Sequence, residues 1–214
     1  MWQNRIEAGQ KLAVKLEKEL LEEEKKTAKL LVLAIPRGGV VIGRQLADFL
    51  NCPLDLIITK KIGAPHNPEL AIGAVGGWGE PVVNQALAEK VGADEKYLKL
   101  QIANLRLEIK RREKFFRKNK SPLNLKNKIV IITDDGVATG STIKAAVEIV
   151  RQSNPQKIIV AVPVIAKDTL PQIESIADEV VYLEAPELFF AVGQFYQDFE
   201  QITDEEVVRI LNSK

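Results

Sequence analysis

Residues Ile129 to Thr142 read IVIITDDGVATGST. The apolar run Ile129 to Ile132 suits a strand buried on both faces. It sets Asp134 and Asp135 at the strand's carboxyl end, where open α/β sheets receive their ligands. Two adjacent carboxylates there can accept hydrogen bonds from a vicinal diol. Ala138, Thr139, Gly140, Ser141 and Thr142 follow, offering backbone N–H groups, hydroxyls and the amino terminus of a helix expected over Ile143 to Arg151. Together these make a small anion site suited to one phosphate. A diol beside a phosphate is the pattern of ribose 5-phosphate. An ordinary strand, acidic turn and capped helix would use similar residues, but here every functional position falls in order. Two other nucleotide motifs fail: Gly136 to Thr142 holds no Lys, as a Walker loop needs, and no G-x-G-x-x-G follows a strand.

The 214 residues, with 46% hydrophobic side chains, can bury the core of one domain spanning 1–214. A net charge of +1 gives no global reason to bind nucleic acid or an acidic membrane. Cys52 is the only cysteine, so no internal disulfide can form, which fits a reducing cytoplasm. It follows apolar Phe49 and Leu50 and reads as a structural thiol. No apolar run approaches the roughly 20 residues of a membrane span, and the amino terminus lacks a signal-peptide core. The expectation is a soluble, cytoplasmic protein.

Strands and helices alternate, which argues for a parallel sheet with helices on both faces. A charged amphipathic helix is expected over Ile6 to Lys26, strand one over Leu30 to Ile35, a helix over Gly39 to Leu50 and strand two over Leu54 to Thr59. A Gly/Pro-rich loop, short β segments at Ala71 to Val75 and Pro81 to Val83, and a long helix over Asp94 to Arg117 come next. After the polar connection Lys118 to Lys128 and strand Ile129 to Thr133, the pattern predicts a strand at Lys157 to Val164, a helix at Asp168 to Ala177 and a strand at Glu179 to Leu183. Thr203-x-x-Glu206 is a capping-box pattern opening a last helix, Thr203 to Leu211.

The segment Ile129 to Thr142 resembles the phosphoribosyl-pyrophosphate signature of the type I phosphoribosyltransferases. That resemblance implies an α/β fold with a central, mainly parallel sheet flanked by helices (core roughly 28–183) and a small hood from terminal and inserted segments (roughly 184–214 with part of the amino terminus). It implies a magnesium-dependent transfer of ribose 5-phosphate from phosphoribosyl pyrophosphate (PRPP) to a nitrogenous base, and a homodimer. Strand one ends in Ile35-Pro36-Arg37-Gly38-Gly39, similar to the family's pyrophosphate loop. Its paired glycines permit close backbone approach, and Arg37 supplies a forked donor. The family carries a non-proline cis bond there, expected within Pro36 to Gly38.

Strand two is expected to end in Lys60-Lys61, one of which would meet pyrophosphate, Lys60 being favoured. The loop Gly63 to Glu69 would close over it. His66, the sole histidine, has no partner at metal-ligand spacing. Tyr182 to Pro186 and Phe190 to Gly193 are similar to the base-binding region of 6-oxopurine phosphoribosyltransferases. Phe190 takes the place of the stacking aromatic, Lys167 that of the lysine meeting an exocyclic oxygen, and Asp198, one residue late, that of a metal ligand. Core packing explains the Phe189 to Phe199 aromatics equally well. Ala138 stands where oxopurine enzymes carry an acid, which leaves the base open, with a purine favoured. Asp134 and Asp135 need not be buried. A non-catalytic PRPP- or nucleotide-binding regulator is the alternative function. The basic cluster Lys110, Arg111, Arg112, Lys114, Arg117, Lys118 and Lys120 reads as a solvated helix face rather than a nucleic-acid surface.

Overall fold

The computed structural model describes residues 1–25 and 29–213. Lys26, expected at the end of the first helix, Ala28, expected at the start of the core, and Lys214 lie outside them. In chain order the elements are α1 (Arg5–Glu19), α2 (Glu22–Lys25), β1 (Leu30–Ala34), α3 (Gly39–Phe49), β2 (Leu54–Leu56), β3 (Thr59–Ala64), β4 (Asn67–Gly76), β5 (Val82–Val83), α4 (Gln85–Lys90), α5 (Glu95–Phe116), β6 (Ile129–Thr133), α6 (Ser141–Arg151), β7 (Lys157–Val164), α7 (Leu170–Glu174), β8 (Glu179–Glu184), a 3-10 turn (Val192–Phe195) and α8 (Asp204–Asn212).

A five-stranded parallel sheet, in the order β2-β1-β6-β7-β8, forms the centre. Successive strand residues point to opposite faces, and both faces are covered. Leu30 and Val32 of β1 and Ile129 and Ile131 of β6 pack with Leu12 and Leu16 of α1 and Ile42 and Leu46 of α3. Leu31, Leu33, Val130 and Ile132 pack with Ile143, Val147 and Val150 of α6 on the other side. Double burial explains why these strands read as unbroken apolar runs.

Strand two differs from its expected extent. Leu56 pairs with Ala34, the last residue of β1, and the Ile57 N–H still donates to the Ala34 carbonyl at 3.0 Å. With no further parallel partner, the chain crosses into a separate antiparallel sheet, β3-β4-β5. Lys60 and Lys61 therefore lie within β3, opposite Val75 and Ala74, rather than at the end of strand two. The expected open loop over Gly63 to Glu69 is mostly strand, a hairpin turning at Pro65 and His66. A Cβ on Gly63 would lie 2.6 Å from the Pro68 carbonyl oxygen, and the Tyr97 hydroxyl donates to the Gly63 carbonyl at 2.9 Å. This inserted sheet has its own small core, Ile62, Ala64, Ile72, Ala88 and Ala93.

Three helices also depart from expectation. α1 stops at Glu19, and Glu24 of the short α2 accepts from the Leu21 N–H at 2.9 Å, so a break replaces one continuous helix. α4 was not anticipated; its cap is Asn84, which accepts from the Leu87 N–H at 3.0 Å. α7 runs Leu170–Glu174 rather than Asp168 to Ala177, and Thr169, just ahead of it, turns its hydroxyl to the Ala138 carbonyl, 2.5 Å away. The Thr203–Glu206 capping box is present. Cys52 is half-buried against the core, and burial pushes its thiol up to about 11.

Arg117 is not part of a solvated basic face. Its side chain is 5% exposed and donates to Asp55 at 2.7 Å and to the Leu56 carbonyl at 2.8 Å. Asp55 also accepts from the Leu56 and Leu123 N–H groups. Removing one partner of a buried pair leaves an uncompensated charge, at a cost of about 3–5 kcal/mol. Arg117→Met is expected to lower unfolding free energy by that amount in urea titration. A loss below about 1 kcal/mol, the range of an exposed pair, would show that water reaches Asp55.

Candidate functional site

Parallel pairing builds the site. Ala34 of β1 faces Thr133 of β6, and the Ile35 N–H continues the ladder to the Thr133 carbonyl at 2.9 Å. The two strands thus release their loops side by side. The Pro36–Arg37 peptide bond is cis, within the stretch where the sequence resemblance placed it. A Cβ on Gly38 would sit 1.9 Å from Asp135 Oδ2, and one on Gly39 would sit 2.8 Å from Asp134 Cα. Only glycine lets the loops touch.

The loop after the acids encloses a cavity of about 170 Å³, lined by Asp134, residues 136–143 and Val192. Gly140 adopts φ +71°, and a Cβ there would approach Thr169 Cγ2 at 2.7 Å. The loop is fastened from behind: Thr169 Oγ1 donates to the Ala138 carbonyl, and Val137 exchanges hydrogen bonds with the Val164 carbonyl and the Ala166 N–H. Thr139 and Ser141 hydroxyls lie 3.0 Å apart. α6 begins at Ser141, and the first N–H groups of a helix have no intrahelical acceptor. A phosphate-sized anion would find those donors and hydroxyls converging.

The acidic pair is more enclosed than the sequence suggested. Asp135, its side chain 14% exposed, accepts from Arg5 Nε at 2.8 Å, while its carbonyl accepts from the Tyr196 hydroxyl at 2.6 Å. Asp134 Oδ1 accepts from the Asp135 N–H at 2.8 Å. Burial, then the Asp135 carboxylate, pushes the Asp134 carboxyl well above the usual range, against the smaller opposing effects of that N–H and of Arg5. Desolvation and the same carboxylates push the Tyr196 phenol up, so it remains a donor. Arg5 left no signal in the sequence. It opens α1 behind the Asn4 cap, 130 positions from Asp135, and only folding joins them.

Three of the cations singled out in sequence have an acidic neighbour. Arg37 lies 3.7 Å from Asp204 of α8, which also lies 3.5 Å from Arg112; Lys60 contacts Glu108 of α5 at 2.6 Å; Lys167 contacts Glu187 at 2.5 Å. Lys61, on the opposite side of β3 from Lys60, lines a cavity of about 390 Å³ together with Ser141 and Lys144. Of the two lysines, Lys61 therefore stands beside the start of α6.

Phe190 is 86% exposed and its N–H donates to Gln194 Oε1, whereas Phe195 and Tyr196 are core residues. Core packing thus accounts for the latter pair and not for Phe190. Asp198 is exposed, its N–H donating to the Gln3 carbonyl and its Oδ1 accepting from the Glu200 N–H at 3.3 Å. Among the described residues, no group of three His, Cys, Asp or Glu side chains could hold a metal ion.

The raised Asp134 carboxyl has a stability consequence. Its contribution is full below the unfolded value of about 3.9 and is lost as pH rises towards the higher folded value. Asp134→Asn should therefore raise the melting temperature of the ligand-free protein, with a gain that grows from pH 4 towards pH 8. An equal gain at both ends would show that the carboxyl carries no such burden.

The phosphoribosyl transferase domain model matches residues 3–200. Two Mycobacterium tuberculosis proteins, from strains CDC 1551 / Oshkosh and ATCC 25618 / H37Rv, each bear the name "Putative phosphoribosyl transferase" and are 37% identical over 99% of this chain. The chain spans about half the length of these relatives, 46%. The crystal structure of TT1426 from Thermus thermophilus superposes with a TM-score of 0.86 at 38% identity, covering 98% of this chain and 97% of that one. With the acidic pair, the loop over residues 136–142 and the cis-bonded glycine loop brought together at one sheet end, the chain belongs to the phosphoribosyltransferase family.

Proposed function

We propose that this protein transfers ribose 5-phosphate from PRPP to a nitrogenous base, a purine by preference, and releases pyrophosphate. The observation that carries the reading is the contact between the two loops: Gly38 and Gly39 press on Asp135 and Asp134, so a phosphate held at residues 138–142 and a pyrophosphate on the glycine loop would belong to one molecule. In the reaction the bond from the anomeric carbon to the pyrophosphate oxygen breaks, a bond to a ring nitrogen of the base forms, and the displaced electron pair leaves on pyrophosphate. A base that enters protonated at that nitrogen loses the proton.

The work of the chain is positioning and charge stabilisation. Asp134 and Asp135 would accept from the ribose hydroxyls, while Ala138, Thr139, Gly140, Ser141 and Thr142 hold the 5-phosphate. Arg37 and a lysine of β3 would face the leaving group, exchanging Asp204 or Glu108 for phosphate oxygens. Magnesium would be held by Asp198 together with pyrophosphate oxygens, since this ion usually takes one or two carboxylates plus substrate phosphates. When bound it neutralises leaving-group charge. Phe190 supports the purine preference because its ring is exposed and free to stack, two positions before Val192, which lines the cavity. Lys167 would meet an exocyclic oxygen once it leaves Glu187.

PRPP with magnesium is expected to raise the melting temperature at millimolar ligand, and a panel of bases should release pyrophosphate with a purine fastest. A melting shift without turnover on any base would favour a non-catalytic PRPP-binding regulator, and no shift at all would overturn the reading. Losing one well-placed donor to the leaving group costs about 2.7–4 kcal/mol in the barrier. Arg37→Ala should therefore slow turnover by about 10²–10³-fold and weaken pyrophosphate binding far more than nucleoside monophosphate binding. Comparing Lys60→Ala with Lys61→Ala identifies the second cation, and equal losses for both ligands in all three variants would make these residues structural.

A further inference from the structure

Arg5 is a buried charged group against the acidic pair to which the proposed reaction gives no role. Its side chain is 9% exposed. It donates through Nε to Asp135 Oδ2 at 2.8 Å and through Nη1 to the Glu200 carbonyl at 2.9 Å, with its guanidinium carbon 3.8 Å from the Phe199 ring centroid and 5.9 Å from that of Tyr196. A Cβ on Gly38 would lie 2.9 Å from Nε. One side chain thus touches the acidic pair, the glycine loop and the carboxyl-terminal segment.

That segment is built onto the amino terminus. Trp2 exchanges backbone hydrogen bonds with Phe195 and Gln197, the Asp198 N–H donates to the Gln3 carbonyl, and the Trp2 and Tyr196 rings lie 5.4 Å apart. Tyr196 closes the circuit on the Asp135 carbonyl at 2.6 Å. Asp135 is therefore held at its carboxylate by the amino terminus and at its backbone by the carboxyl-terminal segment.

We propose that Arg5 is a positioning residue for ribose recognition: it takes one oxygen of Asp135, leaves the other for a ribose hydroxyl, and couples that carboxylate to the segment carrying Phe199 and Glu200. The proposal rests on the assignment of Asp134 and Asp135 to the ribose hydroxyls. A guanidinium is needed because it offers two directed donors in one plane, to the carboxylate and to the Glu200 carbonyl, whereas a lysine ammonium on a flexible stem keeps the charge without that fork. An Arg that served only to neutralise Asp135 would be replaceable by Lys.

The test compares wild type, Arg5→Lys and Arg5→Ala by calorimetry with ribose 5-phosphate, 2-deoxyribose 5-phosphate and inorganic phosphate. Wild type should prefer ribose 5-phosphate over its deoxy analogue. Arg5→Lys should lose about tenfold or more of its ribose 5-phosphate affinity, the scale of one charge-assisted hydrogen bond, and the ribose-to-deoxyribose ratio should fall towards one. Inorganic phosphate should bind as before. Arg5→Ala should show the same collapse of the ratio, partly restored by millimolar guanidinium.

A purely structural Arg5 would weaken all three ligands together and leave the ratio unchanged; that result, or wild-type behaviour in Arg5→Lys, overturns the proposal. Should Arg5→Ala fail to fold, the Lys variant decides. If wild type itself does not distinguish the two sugars, the assignment of the acidic pair falls and this proposal with it, an outcome separable from a failure confined to the variants.

Discussion

The pairing of β1 with β6 is the constraint on which the site rests. Five consecutive residue pairs, from Leu30 opposite Ile129 to Ala34 opposite Thr133, hold two strands that are 99 positions apart in parallel register. Both strands are buried on both faces, so a one-residue slip would swap the side chains fitted under α1 and α3 with those fitted under α6. Register is therefore strongly specified, and with it the point at which each chain leaves the sheet. The contact of Gly38 and Gly39 with Asp135 and Asp134 follows from that shared exit.

A second layer of organisation is electrostatic. Arg37, Lys60 and Lys167 each stand beside a carboxylate from a peripheral element: Asp204, Glu108 and Glu187. These pairs are a third or more exposed on at least one side, so water and salt screen them and each is worth little to the fold. In the proposed reaction that weakness would suit them to exchange, because a pyrophosphate offers the same oxygens with more charge. The buried pairs behave differently. Arg5 with Asp135, and Arg117 with Asp55, are shielded from water and satisfied by additional hydrogen bonds. Neither Arg5 nor Arg117 is free to exchange its carboxylate for a ligand as an exposed cation is.

The inserted region sets the remaining wall. β3 and β4 form a hairpin whose strand alternation sends Lys60 towards α5 and Lys61 towards the start of α6. Because neighbouring residues of a strand face opposite sides, only one lysine of the pair can address any given ligand.

How much was legible in advance depended on the range of the interaction. β6 and β7 were read from sequence to their observed ends, and the acidic turn and the Thr203 cap were also visible, because burial on two faces, turn chemistry and capping act over a few residues, whereas the cis bond was expected only from the family resemblance. Strand two was overextended because its apolar run continues past Leu56, while its end is decided by β1 running out of partners at Ala34. Arg117 looked like one more cation in a basic helix, and only the approach of Asp55, 62 positions away, shows it to be buried. Arg5 was invisible for the same reason. Local sequence determined the chemistry that β6 delivers; which distant charges meet it, and from which side, was decided by packing, since no local pattern encodes a partner that only the folded chain brings within hydrogen-bonding distance.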